Sequence, residues 1–360
     1  MSAEYRDNAV PTRKGEELNL ENLRKCLLEN IPEANGELSV SQFPGGFSNL
    51  TYLLKLSDKE LVLRRPPFGA KVKSGHDMGR EYKILSGLNA HYKKVPKPYY
   101  FTDDESVIGT PFYVMERVNG VILRLSMPKE HLPNAEKMKG ISSSLIDTFA
   151  ELHNLDYEVA GLAQLGRPEG YVQRQVEGWG KRYYAARTDD IPSIEHALKW
   201  LEGNQPTQSC STLIHNDFKY DNLILDPDDW TNVLAVLDWE MATIGDPLLD
   251  LGTSLGYWVN ANDPDMIKAL GLNVSLLPGN PKREELLHLY SIKTGRSIDN
   301  PVFIYVYGLF KIAVIIQQIY LRYQKGLTKD PRFANLINGV KAIGDMAQRA
   351  IEKKKIDDLY

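Results

Sequence analysis

The chain has 360 residues, of which 42% are hydrophobic and 25% charged, with a formal net charge of −4. That length exceeds one ordinary small core, and the charge provides no basic field to recruit nucleic acid. Two cysteines, Cys26 and Cys210, make no disulfide framework, and with a polar stretch at residues 1–14 lacking the apolar core of a signal peptide they point to a reducing, cytoplasmic setting.

Leu20, Leu23, Leu27 and Ile31 recur near helical spacing and predict a leading helix over residues 18–30. Residues 38–43 and 50–56 read as strands joined by a turn at 44–49. In that turn Gly45 and Gly46 let the backbone come close to a phosphate, and Ser48 and Asn49 add donors; a plain hairpin turn is the other reading. A third strand begins at Lys59 and stops at Pro66 and Pro67. Its alternation puts Val62 and Arg64 on one face, a small apolar residue and a cation that suit a nucleotide's base and phosphates. Arg65 is the rival cation, and a solvated strand end is the third reading. A helix over 77–88 then sets Glu81 on the same face as Ile84, Leu85 and Leu88. A carboxylate there needs a cation, because an unpaired buried charge is costly. Arg64 and a surface Lys or Arg are the candidates. Residues 112–115 read as a buried edge strand, closed by a turn at 116–120.

Met138, Ile141, Leu145, Phe149 and Leu152 predict a strong helix, with His153 a satisfied residue at its end. Residues 161–208 are rich in Arg, Tyr and Trp. They either cradle an anionic substrate or pack an aromatic helix face under solvated arginines. Asp246 reads as a helix N-cap with Pro247 at the first helical position. Residues 302–316, interrupted by Gly308 and Lys311, are too short and mixed to span a bilayer and read as a buried helix. A last helix covers 333–351, and 353–355 reads as a frayed, solvated tail.

The most informative stretch is His215-Asn216-Asp217-Phe218-Lys219-Tyr220-Asp221-Asn222. It enters a hairpin of two apolar runs, 223–225 and 233–237, around a polar turn, and that hairpin ends on Asp238-Trp239-Glu240. Pairing Asp226 with Val233 brings Asn222 opposite Leu237, beside Asp238. An amide oxygen and a carboxylate then share one end of the hairpin, with Asp217 on the preceding loop. Such oxygen ligands suit a hard cation such as magnesium.

His-x-Asp-x-Lys-x-x-Asn, a strand pair and a second Asp resemble the catalytic loop and metal aspartate of the protein-kinase-like fold. The spelling His215-Asn216-Asp217, with Asp238-Trp239-Glu240 and the run from Gly245 to Asp250, is similar to the aminoglycoside phosphotransferase and choline kinase family. Within it the chain most resembles the phosphotransferase domain associated with acyl-CoA dehydrogenases. Asp-Phe-Gly and Ala-Pro-Glu, which mark protein kinases, are not in the sequence. The resemblance spans about residues 38–323.

It implies an α+β, bilobal fold: a small N-terminal antiparallel sheet lobe with one helix and a larger, mostly helical C-terminal lobe. The implied boundaries are an extension at 1–36, the first lobe at 37–115, a hinge at 116–120 and the second lobe at 121–360 with a substrate insert near 160–210. It implies that backbone groups around Glu116 and Val118 meet the adenine edge, and that Arg64, where protein kinases usually carry Lys, pairs with Glu81 and meets the phosphates of ATP. Asp217 would accept the acceptor hydroxyl's proton, Lys219 would stabilise the transferred group, and Asn222 and Asp238 would hold Mg2+. His215 would support the loop, and Asp250 would hold its backbone.

The resulting expectation is an ATP- and Mg2+-dependent phosphotransferase acting on a small-molecule hydroxyl, with neither nucleic acid nor membrane as partner. The family branch suggests a hydroxyacyl-CoA or related alcohol as acceptor and a functional association with an acyl-CoA dehydrogenase. The alternatives are an aminoglycoside- or choline-type kinase, a non-catalytic nucleotide-binding module, and a metal-dependent hydrolase built on Asp217, Asn222 and Asp238. The retained Asp217 weighs against the binding module, and the phosphate-covering turn with Arg64 weighs against the hydrolase.

Overall fold

The computed structural model describes residues 8–44, 49–57, 59–67, 76–207 and 210–360. By packing they fall into two units: Met1–Ile122 with Glu158–Leu162 and Asn222–Ala242, and Leu123–Tyr157 with Ala163–Asp221 and Thr243–Tyr360. The candidate catalytic stretch passes from the second unit to the first between Asp221 and Asn222.

The first unit is built on five antiparallel strands, β1 (Leu38–Gln42), β2 (Leu50–Leu56), β3 (Lys59–Arg65), β4 (Pro98–Thr102) and β5 (Phe112–Glu116), in the order β1-β2-β3-β5-β4. Tyr52, Leu54, Leu61, Leu63, Phe112 and Val114 form one core with Leu23, Cys26 and Leu27 of the helix Leu20–Asn30. Each fully buried aliphatic side chain there is worth about 1.5–3 kcal/mol. The pleat sends Val62, Arg64, Tyr113 and Met115 to the other face, where Val62 pairs Met115 and Arg64 pairs Tyr113. Val62 and Arg64 therefore share a face. β5 is interior, not an edge strand. The residues that cover it, β4, carry no alternation and are all half-buried.

The helix Met78–Asn89 begins at Asp77, whose side chain accepts from the Arg80 N–H, and it buries Glu81 with Ile84, Leu85 and Leu88. The hairpin Leu223–Leu225/Val233–Val236 is tied in by paired 2.8 Å backbone bonds between Val121 and Leu225, and Ile224 and Ala235 pack on Ile122 with Val118 and Leu237 alongside. The Leu237 N–H donates to the Asn222 carbonyl at 2.8 Å, as the counting required. Nearer the turn the register slips by one residue: Leu225, not Asp226, pairs with Val233.

The second unit is mostly helical. A short antiparallel pair, Thr212–Ile214 with Thr243–Gly245, delivers the chain to His215. The helix Ala135–His153 is capped by Asn134, and Pro247–Tyr257 by Asp246, which accepts from the N–H groups of Leu248 and Leu249. The helix Pro301–Gln324 is long and apolar enough to cross a membrane by length and composition, yet 83% of its apolar window is buried inside the protein. It crosses Pro247–Tyr257 closely, because Gly308 lies against the backbone of Gly252 and Gly256. Residues 353–355 are exposed, as expected of a solvated segment, but the residues after them pack back onto the unit. Ile356 and Leu359 are buried, and the Arg283 guanidinium, itself buried, donates to the Ile356 carbonyl at 3.0 Å.

Candidate active site

The loop after Ile214 is fixed from both sides. The Asp250 carboxylate accepts the N–H of His215 at 2.6 Å and of Asn216 at 2.8 Å. His153 presents Nε2 to the same carboxylate at 3.2 Å and Nδ1 to the Tyr290 hydroxyl at 2.7 Å. Burial alone would raise the Asp250 carboxyl, but these donors hold it below its usual value, while burial pushes the His153 imidazole down. Asn216 adopts a left-handed backbone, φ 67°. Phe218 is buried and stacks on Phe149 with ring centroids 4.1 Å apart, and its carbonyl accepts the Ser254 hydroxyl at 2.7 Å. With its neighbours anchored, Asp217 keeps about a fifth of its side chain open and accepts from Lys219 Nζ at 2.6 Å.

In the first unit a buried charge cluster forms around Arg64. Its Nη1 donates to Glu81 at 2.5 Å, and its Nη2 lies 3.1 Å from Asp238 and 3.6 Å from Glu240. Burial opposes the guanidinium's charge, but Glu81, Tyr113, Asp238 and Glu240 hold it more firmly protonated than usual. Burial pushes the Glu81 carboxyl up against Arg64's pull. Asn49, just before β2, donates to Glu240 at 2.8 Å and faces His76 Nδ1 at 2.9 Å. Asp238, like Asn216, has a left-handed backbone, φ 67°. Three carboxylates thus share one guanidinium. Asp238 and Asn222, at the end of the hairpin where the Leu237 N–H meets the Asn222 carbonyl, are the oxygen donors that could hold a divalent cation. Among the described residues no group of three or more His, Cys, Asp or Glu converges as a metal site. That pattern is compatible with Mg2+, which typically takes one or two carboxylates and completes its shell with phosphates and water.

Arg65 is buried and donates to the Pro66 and Ile108 carbonyls, so Arg64 is the cation that meets the carboxylates. Glu81 pairs with Arg64 and not with a surface cation. Glu116 is exposed and accepts the Lys97 N–H at 3.1 Å; Val118 packs beside the hairpin. Gly45, Gly46 and Ser48 lie outside the described residues. In the helix Tyr171–Ala186, Tyr171, Trp179 and Tyr183 are buried in packing. Arg174 donates to the Arg167 and Glu169 carbonyls, and Arg182 lies over the Trp179 ring at 4.5 Å. Sequence reasoning assigned no role to two residues. Glu240 carries a second carboxylate two places after Asp238. Lys311 is a cation in the middle of an apolar helix, and its signal is that it must find a partner.

The model of the phosphotransferase enzyme family matches residues 39–286. Among curated relatives, acyl-CoA dehydrogenase family member 11 of Gallus gallus is 38% identical over 313 residues, 84% of this chain and 39% of that protein. Acyl-CoA dehydrogenase family member 10 of Mus musculus is 35% identical over 320 residues, 88% of this chain and 29% of that protein. The chain thus spans well under half the length of these relatives. Among solved structures, a provisionally assigned aminoglycoside phosphotransferase from Ralstonia eutropha superposes with a TM-score of 0.79 at 30% identity, covering 94% of this chain and 99% of that one. The GDP complex of wild-type aminoglycoside 2'-phosphotransferase-IIIa shares the fold, with a TM-score of 0.57 at 14% identity, covering 92% and 98%.

Proposed function

Because this chain belongs to the phosphotransferase enzyme family, we infer that it moves the terminal phosphoryl group of ATP, with Mg2+, onto the hydroxyl of a hydroxyacyl compound such as a hydroxyacyl-CoA. The coarser statement needs no proposal: the chain is a small-molecule phosphotransferase with an alcohol group as acceptor. The observation that carries the nucleotide part of this reading is Arg64, whose buried guanidinium spans Glu81 and Asp238. A planar fork held in this way presents fixed donors to phosphate oxygens.

Phosphoryl transfer is mostly positioning and charge neutralisation. In this reading Arg64, oriented by Glu81, binds the nucleotide phosphates, and Asn49, just before β2, donates to Glu240 beside it. When bound, Mg2+ neutralises charge on the phosphates; Asp238 and Asn222 would hold it. Asp217 orients the acceptor hydroxyl and takes its proton as the new P–O bond forms and the bond from the γ-phosphorus to the departing ADP oxygen breaks, and Lys219, 2.6 Å from Asp217, offsets charge on the transferred group.

Two observations support an anionic acyl acceptor. The curated relatives carry the name acyl-CoA dehydrogenase, which also supports a functional association with such an enzyme. The segment 161–187 exposes Arg167, Arg174, Lys181 and Arg182 against only Glu169 and Glu177, with Arg187 paired to Asp190 and Glu195, a balance that disfavours polycations. The name of the Ralstonia eutropha protein favours a second reading, an aminoglycoside acceptor. We assign the protein to the cytoplasm on its two unpaired thiols, Cys26 and Cys210. ATP consumption should be followed across panels of hydroxyacyl-CoAs and amino sugars. Faster turnover on the acyl panel is expected, and faster turnover on amino sugars would replace the acyl reading with the second.

A further inference from the structure

Lys311 sits in the apolar helix Pro301–Gln324 with only 2% of its surface exposed. A buried ammonium has three donors to satisfy. Here they face the Asn216 carbonyl at 2.9 Å, the Asn216 side-chain oxygen at 3.4 Å and the Thr253 hydroxyl at 3.2 Å. The next residue after Asn216 is Asp217. Asp250 takes the N–H of His215 and Asn216, and Lys311 takes the Asn216 carbonyl, so both peptide groups flanking the left-handed Asn216 are held by buried charges of opposite sign. The Tyr171 hydroxyl meets the Asn216 side chain at 3.4 Å. Lys311 reaches this point because Gly308, one turn earlier, lets its helix lie against Gly252.

We propose that Lys311 is a positioning residue for phosphoryl transfer, its ammonium fixing the Asn216 peptide from which the Asp217 carboxylate is presented. The proposal rests on the reading of Asp217 as the group that orients the acceptor. A residue that acts only through Asp217 affects the chemical step and leaves ground-state nucleotide binding alone. The clamp also has a pH limit. Burial lowers the Lys311 ammonium to about 8, against the pull of Asp250 and Asp217 and assisted by Arg182 and Lys219, which face it too. Above that pH the neutral amine no longer fills all three contacts, and turnover declines.

The test uses Mg-ATP, with water as the acceptor, on the full chain. Lys311→Met should lower kcat at least ten-fold with KM for ATP within two-fold, abolish the alkaline fall of kcat centred near pH 8, and raise amide hydrogen exchange at residues 215–218 but not in the hairpin. Thr253→Val keeps the lysine but removes one acceptor, so it should move the alkaline fall to lower pH. It serves if Lys311→Met does not fold. An unchanged kcat and pH profile in Lys311→Met, or an unmoved alkaline fall in Thr253→Val, overturns the proposal. Asp217→Ala separates the two claims: full activity there refutes the Asp217 reading, whereas an inactive Asp217→Ala beside a fully active Lys311→Met refutes only the role of Lys311.

Discussion

Arg64 shows why one side chain carries so much of this site. A lysine could neutralise Glu81 as a point charge, but only a guanidinium reaches Glu81 with one nitrogen and Asp238 and Glu240 with the other. Arg64→Lys should therefore keep the charge and lose a contact to a charged group, costing about 1.5–3 kcal/mol. Arg64→Met leaves three carboxylates without their cation and should cost about 3–5 kcal/mol. Urea denaturation of the two variants checks that order, and equal stabilities would contradict it. Much of this was legible in the sequence. Strand alternation placed Arg64 beside Val62, and Glu81 on an apolar helix face demanded a cation. Glu240 escaped because a carboxylate after a strand end looks like any solvated turn residue until Asn49 and Arg64 are seen to converge on it.

At the scale of elements, the loop carrying Asp217 is only as well placed as the helices behind it. Pro247–Tyr257 supplies Asp250 and Thr253, and Pro301–Gln324 supplies Lys311. Their close crossing depends on Gly308, where an added Cβ would lie 1.8 Å from the Gly252 carbonyl oxygen. Gly308→Ala must push the helices apart. It should cost about 1–3 kcal/mol as overpacking and reduce turnover as well, because Lys311 is carried away from Asn216. Denaturant midpoints and ATP turnover measured together check this; a stable, fully active Gly308→Ala would show the crossing to be slack. The sequence marked Gly308 and Lys311 merely as interruptions of an apolar run. Periodicity says which face is buried but not which helix lies opposite. Elements without a periodic signal were lost for the same reason. β4 is half-buried at every position, so β5 read as an edge. In the hairpin, distance from the turn mattered: Asn222 opposite Leu237 was countable, whereas the bulge at Leu234, opposite the Ile224–Leu225 step, was not.

For the whole molecule, chain order and packing disagree in an instructive way. The motif from His215 to Asp238 is continuous in sequence, yet His215 to Asp221 packs with the helical unit and Asn222–Ala242 with the sheet unit. A spacing pattern records that the residues belong to one chemistry; it does not record which core each is anchored to. Family membership supplies the reaction class. The proposed division of labour is narrower: Arg64 and Asp238 would serve the nucleotide and its metal, and Asp217 the acceptor. The most direct measurement is phosphoryl transfer from γ-labelled ATP to hydroxyacyl-CoA acceptors, run in parallel with calorimetric Mg-ATP binding, for wild type, Asp217→Ala and Asp238→Ala. The account predicts labelled phosphoester product with wild type alone, Mg-ATP binding retained in Asp217→Ala, and binding weakened at least ten-fold in Asp238→Ala. Undiminished transfer by Asp217→Ala, or Mg-ATP binding by Asp238→Ala as tight as wild type, would contradict it.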